Sequence, residues 1–144
     1  MEIRKVTLND IDSVFELLNQ LYKNKIRYEI FSEIYKSKLE DNNSYYIVAV
    51  EDDKIVGVLI SEIQVKIHRA KKQCFVDDLI VDENYRNRGI GRQLLQNAVD
   101  YAKDQDCEVI ELTSYRDNVN AHRFYENNGF KKHSYKFKQY LNTY

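Results

Sequence analysis

Residues 74–95 read CFVDDLIVDENYRNRGIGRQLL. The stretch 74–81 has the apolar, β-prone character of a buried strand, interrupted by two adjacent acids, Asp77 and Asp78. Residues 82–85 carry turn chemistry. Beyond them Leu94, Leu95, Ala98, Val99 and Ala102 recur at helical spacing, which predicts a helix over about 89–104. Residues 109–112 (VIEL) then read as another strand. Strand, helix, strand is a crossover unit, and a crossover joins parallel neighbours.

The junction Arg86-Asn87-Arg88-Gly89-Ile90-Gly91 holds two of the four glycines in the chain. Glycines at a strand-to-helix turn let the backbone approach a ligand closely, and the first helical amides have no intrahelical acceptor. Such a helix start attracts anions, and Arg86, Arg88 and Arg92 add positive charge. A diphosphate fits this chemistry; so does a solvated basic rim. Two familiar phosphate loops are excluded. Position 94 is Leu, which breaks Gly-x-Gly-x-x-Gly, and no Walker lysine follows the glycines.

Working outward, residues 3–6 form a short strand candidate. Thr7-Leu8-Asn9-Asp10 offers N-cap chemistry ahead of Ile11, Val14, Phe15, Leu17, Leu18 and Leu21 at helical spacing. A second helix is expected over 28–39, with Ile30, Ile34 and Tyr35 on its apolar face. Strands at 45–50 and 55–65 flank the turn Asp52-Asp53-Lys54, and 68–72 (HRAKK) reads as a loop. Downstream, 121–127 is a short helix closed by Gly129, and 130–141 alternates enough for one or two final strands. The order is β-α-α-β-β-β-α-β-α-β. It predicts one α/β domain over 1–144, with a mixed sheet and helices on both faces.

The 144 residues carry 22 Lys+Arg against 23 Asp+Glu, so the net charge of −1 favours neither a nucleic-acid nor an anionic-membrane partner. Met1-Glu2-Ile3-Arg4-Lys5 lacks a signal-peptide core, and no window approaches the run of ~20 apolar residues needed for a membrane span. A cytoplasmic location is expected. Cys74 and Cys107 have no CxxC spacing and read as core residues, neither bridged nor metal-bound. His68, His122 and His133 have no metal-ligand spacing either, so no metal site is expected.

The string at 76–95 resembles the acetyl-coenzyme A motif of the GNAT superfamily of N-acetyltransferases, Arg/Gln-x-x-Gly-x-Gly/Ala. A second segment, from Asn118 to Phe130, is similar to that family's Asn-x-x-Ala-x-x-Phe-Tyr-x-x-x-Gly-Phe. Many relatives carry Pro near position 83, where this chain has Glu83. The resemblance implies that Arg86, Asn87, Arg88, Gly89, Ile90, Gly91 and Arg92 grip the diphosphate of acetyl-CoA. It implies that the backbone of Leu79, Ile80 and Val81 pairs with the pantetheine arm, where a bulge splays this strand from 108–112. Leu79 and Val81 would otherwise be plain core side chains.

Transfer needs a neutral amine to attack the thioester carbonyl through a tetrahedral intermediate that expels a thiolate. Tyr125 sits where the family commonly places the proton donor for that sulfur, although an aromatic core residue has the same look. Asn118 matches a residue that contacts the cofactor arm, or else caps a helix. Asp78 precedes Leu79, where relatives often carry an acid that receives the ammonium; Asp77 is the reserve. Side chains alternate on a strand, so only one of the two is expected to face the acetyl group. A salt bridge to an edge Arg is the alternative for either acid. His122 is expected at the surface or in a supporting position, and His68 is a candidate for lining the acceptor site.

Residues 121–125 and 133–137 most resemble the aminoalkylphosphonate N-acetyltransferase branch. A phosphonate suits Arg69, Lys71 or Lys72, whereas the paired aspartates suit a diamine or polyamine. The expected partner is a small-molecule primary amine. A protein or peptide N-acetyltransferase, a non-catalytic CoA-binding regulatory module and another kind of phosphate-loop protein are the alternatives. Tyr135, Tyr140 and Tyr144 make the tail a candidate homodimer contact.

Overall fold

Two adjacent aspartates, Asp52 (φ 50°) and Asp53 (φ 60°), both left-handed, form the turn around which the sheet is built. Left-handed conformations at both central positions match the right-handed twist of a hairpin. The turn joins β2 (Ser44–Glu51) to β3 (Lys54–Lys66). In the computed structural model, which describes residues 1–23 and 25–142, backbone contacts divide the chain into Met1–Leu112 and Thr113–Tyr144.

In the first unit β1 (Glu2–Lys5) pairs antiparallel with β2, and β4 (Lys71–Val81) pairs antiparallel with β3. β5 (Cys107–Leu112) lies parallel to β4, giving the sheet order β1-β2-β3-β4-β5 among the described residues. The mixed sheet and the parallel crossover are as expected. β4 starts earlier than expected, because residues 67–69 form a 3-10 turn and Ala70 is left-handed (φ 52°).

Two helices cover one face: α1 (Ile11–Tyr22) and α2 (Tyr28–Leu39). Val14, Leu17, Leu18 and Tyr35 pack there against Val48, Val58, Ile60 and Ile80. α2 has the expected bounds but a different inner face. Ile30 and Ile34 remain 48% and 54% exposed, while Tyr35 is buried. The helix is rotated by its aromatic residues: Phe31 sits 5.2 Å from Phe15 and 5.6 Å from Tyr35, ring centre to ring centre. Rings bury more apolar surface than isoleucines and so win the inner stripe. Tyr35 also donates its hydroxyl to the Thr7 carbonyl at 2.6 Å. The start of α1 is tied to β1 by the buried Asp10. Its carboxylate accepts from Arg4 Nη1 at 2.8 Å and Nη2 at 3.0 Å, and from the Thr7 amide at 2.7 Å. The Arg4 guanidinium holds that carboxyl below the usual range.

α3 (Ile90–Asp104) covers the opposite face. A Cβ on Gly57 of β3 would lie 2.9 Å from Leu94 Cδ1 and 3.3 Å from Ile90 Cγ2, both in α3. The missing side chain is what lets helix and sheet approach. Gly57→Val is therefore expected to destabilise the fold by ~1–3 kcal/mol, as overpacking does, and a thermal melt of the variant against the parent measures it. Cys74 packs on this side with Ala102 and Ile63; Cys107 is half-buried beside them, and both thiols are free.

In the second unit α4 spans Val119–Asn127 and is followed by Gly129 at φ 91°, whose amide bonds back to the Glu126 carbonyl at 3.2 Å. The final strands expected over 130–141 are not formed: residues 130–140 carry neither helix nor strand. The alternation of Tyr135 and Phe137 with Lys136 and Lys138 supplies an apolar face. A strand also needs a neighbour for its amides and carbonyls, and among the described residues this unit has no other strand. Tyr135 and Phe137 are 85% and 94% exposed; Tyr144 lies outside the described residues. No helix is long and apolar enough to cross a membrane among the described residues.

Candidate active site

The register of β4 against β3 breaks at the acid pair. Val76 faces Ser61 and Asp78 faces Ile60, so Asp77 is an extra residue, a β-bulge. Its effect shows in the packing. Cys74 and Ile80 would share a face in a regular strand, yet Cys74 joins the α3 side and Ile80 the α1–α2 side. The strict alternation expected at Asp77 and Asp78 therefore fails. Asp78 is half-buried and accepts a hydrogen bond from the Tyr22 hydroxyl of α1 at 2.6 Å. Asp77 is exposed, and its charge acts on Lys38 of α2, Tyr46 of β2 and Cys74 of β4 itself. Burial pushes the Asp78 carboxyl above its ordinary pKa, and the Tyr22 bond opposes that shift. Lys38 itself is paired with Glu62 at 2.6 Å.

Beside the same bulge β4 leaves β5. Their ladder ends at Val76 against Leu112, while residues 77–81 continue along β3 only. On the β5 side, the Val81 carbonyl receives Arg86 Nε at 3.3 Å. Among the described residues no ladder runs along the rest of that edge, because β5 ends at Leu112; Leu79 and Val81 face it, while Ile80 pairs with Val58 of β3. Ile80 is buried and Leu79 and Val81 are half-buried, so the side chains serve the core while the edge can serve a ligand.

The strand then enters a 3-10 turn, Glu83–Tyr85, capped by Asp82, which accepts from the Asn84 amide at 2.9 Å. This cap supplies the order that Pro would give at Glu83. Asn87 (φ 62°) and Gly89 (φ 80°) are both left-handed. No atom lies within 4 Å of a Cβ built on Gly89, so its backbone conformation, not crowding, calls for glycine. Gly89 caps α3, and its carbonyl accepts from the Gln93 amide at 3.1 Å. Buried Ile90 anchors the helix start; Arg86, Asn87, Arg88 and Arg92 are exposed and Gly91 is half-buried. The Arg88 guanidinium rests 5.0 Å from the Tyr85 ring centre. Exposed cations around first-turn amides, which have no intrahelical acceptor, fit a diphosphate.

In the second unit, Asn118 is the N-cap of α4, its side chain accepting from the Ala121 amide at 3.2 Å. His122 Nε2 lies 2.8 Å from the Tyr115 carbonyl, a link that steadies the 113–118 segment. Tyr125 is half-buried, with ring centres of Phe124 and Phe130 at 5.4 Å and 6.0 Å in edge-to-face geometry. His68 is exposed in the 3-10 turn at 67–69, next to Arg69, which reaches Glu108 at 3.6 Å. Among the described residues no cluster of His, Cys, Asp or Glu could hold a metal ion. Tyr22 had no motif to announce it: 56 residues separate it from Asp78, and an aromatic at a helix end is unremarkable in sequence.

A β4 edge that runs past the end of its parallel neighbour, beside a glycine-started helix, is the arrangement that the resemblance to acetyltransferases leads one to expect. Residues 11–130 match the acetyltransferase (GNAT) family, and the chain belongs to it. It is 32% identical to the aminoalkylphosphonate N-acetyltransferase of Salmonella typhimurium, over 97% of this chain and 91% of that protein. A Bacillus halodurans protein described as a transcriptional regulator superposes with a TM-score of 0.91 at 27% identity, covering 97% of this chain and 99% of the other. An aminoglycoside N-acetyltransferase solved with CoA shares the fold at TM-score 0.87 and 15% identity, over 98% and 95% of the two chains. The chain is an acetyl-CoA-dependent N-acetyltransferase.

Proposed function

We propose that the enzyme acetylates the primary amine of a small molecule, with aminoalkylphosphonates as the favoured acceptors. The observation that carries the reading is the half-buried Asp78 at the bulge where β4 leaves β5. An amine arrives as an ammonium ion and must lose a proton before it can attack; a carboxylate at this place attracts the cation and accepts the proton. Exposed Asp77 assists by its charge. Acetyl-CoA supplies the activated acetyl group. The edge at Leu79 and Val81 suits its amide-bearing arm, and the segment from Arg86 to Arg92 its diphosphate. Tyr125 donates the proton that the departing sulfur needs, and Asn118 supports the helix that carries it.

The acceptor class is supported by similarity to the aminoalkylphosphonate enzyme along nearly the whole chain. Lys71 and Lys72 open β4 about 20 Å along the strand from Asp78, too far to hold the phosphonate of a short acceptor whose amine is at Asp78. A cytoplasmic location suits an enzyme with two free cysteines, and the exposed rings of Tyr135 and Tyr140 make the tail a homodimer contact in this reading.

Thiol release from acetyl-CoA, measured over aminoalkylphosphonates, polyamines, aminoglycosides and lysine peptides, tests the proposal. The highest kcat/KM is expected with an aminoalkylphosphonate. Turnover confined to peptides would move the acceptor to proteins, and CoA binding without any turnover would make the chain a regulatory module.

A further inference from the structure

We propose that Tyr22, the last residue of α1, is a positioning residue that holds the Asp78 carboxylate in place and ionised, ready for the amine. The inference rests on the role proposed above for Asp78. Lys23 turns left-handed (φ 54°, ψ 49°) and sends its amide back to the Asn19 carbonyl, so the helix stops one residue after Tyr22. From this last turn the Tyr22 side chain reaches the bulge and gives its hydroxyl proton to Asp78 Oδ1 at 2.6 Å. That distance lies at the short end for O–H···O contacts, as expected when the acceptor is charged. The ring itself is 41% exposed, so core burial alone does not explain the residue.

The surroundings show why such a donor matters. Asp77 is adjacent on β4, and its charge acts on Lys38 of α2 and Tyr46 of β2. Lys38, the cation of this group, is engaged by Glu62 at 2.6 Å. Asp78 is a half-buried acid, and burial drives it toward the protonated form. The Tyr22 hydroxyl works in the opposite direction, because a donor favours the charged carboxylate.

The test compares the parent with Tyr22→Phe, which keeps the ring and removes only the hydroxyl. Two readouts are taken: kcat/KM against pH with acetyl-CoA and the best acceptor from the amine panel, and the pH titration of the Asp78 carboxyl carbon by NMR. Asp78→Asn identifies that resonance by its disappearance. Losing a donor to the charged form raises the pKa of an acid, so the acid limb and the resonance should both move up by roughly 0.5–1 pH unit. Activity of Tyr22→Phe should approach the parent's above the shifted limb, a recovery that a purely structural role would not produce. An unmoved resonance, or an equal loss of activity at every pH, overturns the proposal. A shifted resonance with an unmoved rate profile leaves the hydrogen bond standing and overturns the part assigned to Asp78 in the chemistry, and Tyr22's part with it.

Discussion

Tyr125→Phe is expected to lower kcat by ~10²-fold or more, about 2.7 kcal/mol of transition-state stabilisation. The KM for acetyl-CoA should change little. A thiolate leaving a thioester is stabilised by a proton delivered as the carbon–sulfur bond breaks, and the phenol is the only part of Tyr125 that can deliver it. The substitution keeps the ring and the main-chain contacts. Phe fills the same edge-to-face positions against Phe124 and Phe130, and the main-chain bond from the Phe130 amide to the carbonyl of residue 125, 3.0 Å long, does not involve the side chain. A thermal melt shows what the hydroxyl adds to the fold, and turnover what it adds to the chemistry. Steady-state kinetics with a thermal melt separates the two quantities. A kcat equal to the parent's would reduce Tyr125 to an aromatic packing residue.

What sequence could reveal here divides along a physical line. Elements set by local periodicity and turn chemistry were readable: α2 has the bounds its spacing predicts, and Asp52-Asp53 makes the expected hairpin turn. Gly89 was readable too, because a strand-to-helix turn has its own local chemistry. Errors arise where a distant partner decides. The inner face of α2 depends on Phe15 of α1, which draws Phe31 inward and leaves Ile30 and Ile34 out. The alternation in 130–141 is a strand pattern, but pairing is a property of two strands, and one segment cannot supply it. The bulge at Asp77 had a local hint in two acids set side by side within an apolar strand. That Asp77 is the extra residue follows only from the register of β3. Gly57 reads as an ordinary strand glycine until Leu94 of α3 is placed above it.

Asp78→Asn is expected to cut kcat/KM at neutral pH by ~10²–10⁴-fold, the usual range for removing a general base, while leaving the fold at least as stable. The activity loss follows because an amide cannot accept the proton of the incoming ammonium ion. The stability effect follows from the direction of the pKa shift. Burial raises the Asp78 carboxyl above its unfolded value of about 3.9, so the folded chain binds this proton more tightly than the unfolded chain does. Stability from this group is then greatest in acid and declines as pH rises from the unfolded pKa through the raised folded one. At neutral pH the ionised carboxylate opposes folding. Asn removes that opposition and still offers an oxygen to the Tyr22 hydroxyl, so its melting temperature should equal or exceed the parent's. A residue whose removal abolishes turnover yet relieves the fold is one retained for chemistry rather than for structure. Asp77→Asn, at an exposed position, should have the smaller kinetic effect. If Asp78→Asn kept the parent's kcat/KM and pH profile, the proton would have to leave through Asp77 or a water.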